Sequence, residues 1–329
     1  MKSTKQFVFQ KKIMGFADEY DMLPRDGLII VAVSGGVDSV CLLDVISEIS
    51  PKRGFQIAAA HFNHKLRGDE SDCDELFVTG ECKNRDIKLI TDSSDVRAYA
   101  LDKGLGIVEA ARECRYAFFE RAADELGTVL DCETVRVATA HNADDLAETL
   151  IINLVRGAGT LGMSGIPPVR GRIIRPMLHI SRDEIMEYID VKGLTFVEDS
   201  SNALENQARN RIRHKVMPVL KEINHGFPNM ATRAAELTRR DEEYLQGLVD
   251  EYLKSCDEYI KSRTLSVKGI NSLPLPIASR VVKRMGNGLS FQHINDVIDL
   301  CTNKKPVACL SLPGMTVKKE HDSLIFITL

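Results

Sequence analysis

Gly27-Leu28-Ile29-Ile30-Val31-Ala32-Val33 is a short, β-branched apolar run bounded by turn residues, which predicts a strand buried on both faces. Ser34-Gly35-Gly36 ends it, and Asp38 to Ile49 continues with apolar positions at helical spacing. The alternation then repeats. Gln56 to Ala60 predicts a second strand, Asp69 to Arg85 a helix, Lys88 to Thr91 a third strand and Gly106 to Leu126 a long helix. Arg136 to Thr139 predicts another strand, running into a helix that begins at His141. Strands alternating with helices require crossovers, so the pattern predicts a doubly wound α/β domain with a mostly parallel sheet.

The pattern changes after about residue 215. Pro218 to Leu253 is helical and charge-rich, and Leu273 to Leu300 gives two more helical stretches around Gly286-Asn287-Gly288. The last twenty or so residues read as two strands, with turns at Pro313-Gly314 and Glu320-His321-Asp322. The expected organisation is an α/β domain over 1–216, a connecting helix over 217–245 and a smaller, mainly helical domain over 246–329.

Composition adds limits. Hydrophobic content of 44% and charged content of 27% are those of a soluble globular protein. No apolar run approaches the roughly 20 residues of a membrane span, and the first residues lack a secretion-signal core. Eight cysteines occur without any CxxC spacing, which favours reduced thiols in a cytoplasmic setting over a disulfide framework or a zinc or iron–sulfur site. A net charge of −4 argues against indiscriminate nucleic-acid binding while leaving room for a local basic surface.

The most informative motif is Ser34-Gly35-Gly36-Val37-Asp38-Ser39, directly after a strand and opening a helix. Free N–H groups at a helix start form an anion site, and two glycines let backbone approach phosphate oxygens. Ser34 and Ser39 add hydroxyls, and Asp38 could hold Mg2+ against phosphates. No lysine follows the glycines as in GxxxxGK[ST], and the spacing is not GxGxxG. SGGVDS resembles the pyrophosphatase loop of the N-type ATP pyrophosphatase (PP-loop) superfamily, whose members cleave ATP between the α- and β-phosphates.

Further stretches resemble the tRNA(Ile)-lysidine synthetase family in particular. They are His61-Phe62-Asn63-His64-Lys65-Leu66-Arg67-Gly68 with Glu70-Ser71, then Ala111-Arg112-Glu113-Cys114-Arg115-Tyr116, then Ala140-His141-Asn142-Ala143-Asp144-Asp145-Leu146-Ala147-Glu148-Thr149. Arg156-Gly157-Ala158-Gly159, Arg175-Pro176 and Asp199-Ser200-Ser201-Asn202 to Asn210-Arg211-Ile212-Arg213 continue the likeness in order, from about residue 28 to 217. Asn142 stands where the family usually has a second histidine, and Leu146 where glutamine is common.

On a helix starting near His141, residues His141, Asp145 and Glu148 share a face, and such acids are either solvated dipole partners or ligands for a cation. The resemblance implies the second, with Asp144, Asp145 and Glu148 receiving free lysine and Arg112 countering charge on the α-phosphate. It also implies that Ser34, Gly35, Gly36, Val37, Asp38, Ser39, His61 and His64 line the ATP site. Asp38, Arg112, Asp145 and Glu148 are then the catalytic candidates. Arg209, Arg211, Arg213, His214 and Lys215 form a basic run without interleaved acids, suited to tRNA phosphates, and Arg170, Arg172 and Arg175 could extend it.

The activity so implied joins lysine to C2 of the wobble cytidine of a CAU-anticodon isoleucine tRNA, using ATP and Mg2+. The alternatives are another PP-loop adenylating enzyme, such as a tRNA thiolase, which the missing CxxC disfavours, or a small-molecule synthetase, for which the basic run has no use, and an ATP-binding module without turnover, for which the acidic cluster has no use. The sequence leaves the oligomeric state open, a homodimer included.

Overall fold

The computed structural model describes residues 2–66, 68–197, 207–256, 262–286 and 288–328. Arg67, Asp199-Ser200-Ser201-Asn202 and Asn287, singled out above, lie outside the described residues. The chain forms two compact units, Met1–Glu236 and Leu237–Leu329.

In the first unit, helix α1 (Lys2–Glu19) precedes strand β1 (Leu28–Ala32), and α2 (Val37–Arg53) leads to β2 (Gln56–Asn63). Next come α3 (Asp69–Asn84), β3 (Lys88–Ser93), α4 (Val96–Lys103), α5 (Ile107–Val129) and β4 (Val135–Ala138). Helices α6 (Ala143–Val155) and α7 (Thr160–Met163), short strands β5 (Val169–Arg170) and β6 (Ile173–Ile174), and α8 (Arg182–Lys192) follow. Then α9 (Gln207–Arg211), a π-helical turn (Ile212–Val216), α10 (Met217–Ile223) and α11 (Phe227–Ser255) complete the series.

The strand order is β3-β2-β1-β4-β6-β5, parallel except for the β5–β6 pair. The fold class is therefore the expected mostly parallel, doubly wound sheet. Alternate residues of β1 explain why the run is apolar throughout. Ile29, Val31 and Val33 face one core with α1, α2 and α8, whereas Leu28 and Ile30 face Phe118, Phe119, Ala122 and Leu126 of α5. From β1 the chain winds outward to β3, then returns to place β4 on the other side of β1. The loops after β1 and β4 thus leave the sheet at adjacent strand ends, where the winding reverses and open α/β sheets bind ligands.

The second unit is mainly helical, as expected, and also carries a sheet of its own. A four-stranded antiparallel sheet packs with the helices Leu275–Met285 and Phe291–Thr302, and its strand order joins Thr264–Ser266, Ser323–Thr328, Met315–Glu320 and Val307–Leu312. Three strands therefore stand where two were expected at the chain's end. The expected connecting helix is broken at Asn224, and the units part within α11 instead of at residue 216. Among the described residues, no helix is long and apolar enough to cross a membrane.

Ile29 is fully buried in the first core and Leu101 of α4 is 86% exposed. Ile29→Ala should cost about 2–4 kcal/mol in urea denaturation, and Leu101→Ala no more than about 0.5 kcal/mol. Equal losses would contradict this division of the core.

Candidate functional site

The loop after β1 is built to leave amides open. Gly35 has φ +92°, a conformation that disfavours a side chain, and its carbonyl accepts the Val197 N–H at 2.9 Å. Gly36 is the N-cap of α2 and offers no capping side chain, so the first-turn amides have no such partner. Ser39 braces the turn instead: its Oγ donates to Gly36 O at 2.8 Å and accepts the Ser34 N–H at 3.1 Å. Asp38, one residue into the helix, pairs with Arg182 at the start of α8. Its Oδ1 is buried, with Asn142 nearby but no hydrogen bond of ordinary geometry. Burial pushes the Asp38 carboxyl up to about 6; Arg182 opposes the shift and Asp145 adds to it. The two loops at the strand ends therefore feel each other electrostatically.

Helix α6 starts at Ala143, two residues later than expected. Asn142 is its N-cap and exchanges hydrogen bonds with Asp145 in a capping box, a role asparagine fills well. His141 therefore precedes the helix, its Nδ1 lying 3.0 Å from Thr139 Oγ1, and burial pushes its pKa down. Leu146 is buried with Ala147 and Leu150 against Ile212, Met217, Ala231 and Ala235, which explains an apolar residue there.

The acids of α6 already hold cations. Arg209 Nε donates to Glu148 Oε2 at 2.8 Å and Arg213 Nε to Oε1 at 2.7 Å. Their Nη2 groups reach Asp145 Oδ1 at 3.1 and 3.2 Å. Glu148 is only 2% exposed, so its charge depends on these donors. Burial alone would lower the Arg209 pKa, but Asp145 and Glu148 outweigh it and raise it. Asp144 points elsewhere, accepting from Lys221 Nζ and the Arg182 N–H, each at 2.8 Å.

A cavity of about 780 Å3 joins these parts, lined by Ser34, Gly36, Asp38, Ser39, His61, His64, Arg112, His141, Asp145 and Arg209 among others. His61 Nδ1 sits 2.9 Å from Val33 O, so the imidazole carries its proton on Nδ1 and braces the end of β1. His64 packs edge-on to Phe62, with ring centroids 4.9 Å apart. Tyr116 lies among Arg112, Arg170 and buried Arg175 on another part of the lining.

The basic run expected to form one RNA surface is split. Arg209 and Arg213 turn inward to α6, whereas Arg211, His214 and Lys215 are exposed. Arg172 also leaves the group, pairing with Asp124 on α5 at 2.5 Å. Arg182 and Lys221 were not anticipated as partners of Asp38 and Asp144. The capping box of Ser181 and Glu184 signals the start of α8, but nothing local signals those pairings.

Glu148→Gln removes the charge that two guanidiniums share. A loss of about 3 kcal/mol in chemical denaturation is expected, and wild-type stability would contradict the ion-pair geometry.

Residues 6–220 match the sequence profile of the PP-loop domain family. The tRNA(Ile)-lysidine synthase of Geobacter sulfurreducens is 37% identical over 96% of this chain, which spans 68% of that relative's length. The tRNA(Ile)-lysidine synthase of Bacillus subtilis is 34% identical over 96% of this chain and is spanned to 69%. Among solved structures, the U34-tRNA thiolase NcsA of Methanococcus maripaludis superimposes with a TM-score of 0.58 at 16% identity, covering 73% of this chain and 81% of that one, a likeness of fold. The profile, the curated relatives and the ordered motifs agree: this chain is an enzyme of the tRNA(Ile)-lysidine synthase family, built on a PP-loop domain.

Proposed function

We propose that the chain joins lysine to C2 of the wobble cytidine in a CAU-anticodon isoleucine tRNA, in two steps within one cavity. The observation that carries this reading is the shared cavity of the Ser34–Ser39 loop and the Asp145 edge of α6. ATP binds with its β- and γ-phosphates at the open amides of α2. The cytidine O2 then attacks the α-phosphate, pyrophosphate leaves, and the base becomes an adenylated intermediate. The ε-amine of lysine attacks C2 and expels AMP, a far better leaving group than a carbonyl oxygen. Arg112, on the cavity lining, is the cation for charge developing on the α-phosphate. An unstacked anticodon base reaches such a site at low cost.

Mg2+ belongs with the nucleotide. Among the described residues, no three His, Cys, Asp or Glu side chains are grouped as a metal cage. An ion bridging phosphates asks the protein for only one or two carboxylates, and Asp38, with one buried oxygen uncommitted, fits that demand. Bound there, the ion would neutralise phosphate charge beside an otherwise acidic edge.

Asp145 and Glu148 are the groups that receive the lysine ammonium and help take its proton, since only the neutral amine attacks. Arg209 and Arg213 hold them in the meantime, so the amine enters by exchange with a guanidinium. Asp144, tied to Lys221, orients the start of α6 and α8 instead of meeting substrate. Arg211 and Lys215, exposed beside the site, are left to contact tRNA phosphates. The chemistry suits a cytoplasmic enzyme, where tRNA, ATP and lysine occur together.

Labelled lysine, MgATP and an isoleucine tRNA transcript bearing CAU provide the test. Label should enter RNA only when ATP is present, with AMP and pyrophosphate released in equal amounts. ATP cleavage without label in RNA would reject the substrate assignment while sparing ATP use.

A further inference from the structure

Two kinds of arginine line the cavity. Arg209 meets carboxylates of α6. Arg112, Arg170 and Arg175 do not: among the described residues, none of the three forms an ion pair with an acid. They gather instead around one phenol. The guanidinium carbons of Arg112 and Arg170 lie 4.8 and 4.9 Å from the Tyr116 ring centroid. Arg175 Nη2 donates to the Tyr116 hydroxyl at 3.4 Å, and its Nη1 to Pro167 O at 2.7 Å. Arg175 is 1% exposed, and its buried Nε has no hydrogen-bond partner.

Three positive charges held together without a carboxylate repel one another, and burying one of them adds a desolvation cost. The ring quadrupole of Tyr116 offsets part of that and fixes the spacing. Burial would raise the phenol's pKa, yet Arg112, Arg175 and Arg115 bring it down, as expected for a ring set in a positive field. Burial likewise lowers the Arg175 pKa. What Arg112, Arg170 and Arg175 lack, among the described residues, is an anion.

We infer that the Tyr116-centred arginine cluster is a binding site for a phosphodiester group of the RNA strand that enters the cavity, with Tyr116 as its positioning residue. The inference rests on the reading of the chain as a tRNA-modifying enzyme. Three guanidiniums exceed the charge of one α-phosphate, and the loop after β1 already serves the other phosphates of the nucleotide. Arg112 and Arg170 are exposed, so a polymer that cannot fit wholly inside the cavity can still reach them. Arg112 can thus face the strand and the reacting nucleotide together.

Affinity for the isoleucine tRNA transcript, measured against salt concentration, tests this in Arg170→Ala, Tyr116→Leu and Tyr116→Phe variants, with ATP affinity measured in parallel. Arg170 is exposed, so its truncation leaves the fold intact. At roughly 0.1 M salt, Arg170→Ala and Tyr116→Leu should each weaken RNA binding about fivefold and flatten the salt dependence by about one phosphate contact. Tyr116→Phe keeps the ring and should stay within about twofold of wild type, and Arg170→Ala should leave ATP affinity unchanged. RNA affinity and salt slope at wild-type values in both Arg170→Ala and Tyr116→Leu would overturn the assignment, as would a loss confined to ATP. A wild-type chain that binds no RNA would overturn both this site and the functional reading on which it rests.

Discussion

Strand β1 has parallel partners on both sides, β2 and β4, and the winding of the sheet reverses across it. A strand so enclosed must be apolar on both faces, and its polar continuation must emerge at the carboxyl end. The reversal places the continuation of β4 next to it. The amide-rich turn at Ser34–Ser39 and the acid-bearing start of α6 therefore share one crevice, a consequence of strand order and not of any long-range pairing. The glycines, Ser39 and Asn142 then refine local geometry within a crevice that topology has already made.

Charge is distributed unevenly over that crevice. On the α6 side, Asp145 and Glu148 are matched by Arg209 and Arg213, so a buried carboxylate is stable in the absence of substrate. Next to the loop, Asp38 keeps Arg182 on one oxygen while burial holds its acidity down. Around Tyr116, Arg112, Arg170 and Arg175 meet no acid among the described residues. Binding a cation, a nucleotide and a polyanion in one place calls for this division: acids held ready by exchangeable partners, amides free for phosphate, and arginines spared from internal pairing. The π-helical turn that carries Arg213 belongs to the same economy, since such turns are short, irregular and common where side chains must be re-aimed.

The parts legible in the sequence are those set by neighbours along the chain. The apolar run of β1, the loop Ser34–Ser39 and the alternation of strands and helices need only local periodicity and turn chemistry. The start of α6 was displaced by two residues because His141 and Asn142 look alike to a periodicity argument, while the asparagine is the better cap. The pairing of Arg209 with Glu148 spans 61 positions and leaves no local trace. The second unit's sheet is only partly legible, for another reason. Lys319 occupies an inward position of its strand, its Nζ donating to Cys301 O at the end of a helix, so the expected apolar alternation is interrupted by a charge. In Val307–Leu312 the outward positions are Val307, Cys309 and Ser311, so the strand's exposed face does not read as polar throughout.

The convergence of the two loops can be read from a single carboxyl group. Asp145 raises the pKa of Asp38 across the crevice, so NMR titration of the Asp38 carboxyl in wild type and Asp145→Asn isolates that coupling. The wild-type group should titrate at about 6, and removal of the neighbouring negative charge should bring the value down. An Asp38 titration unmoved by Asp145→Asn would mean that the loop and the acidic edge do not meet.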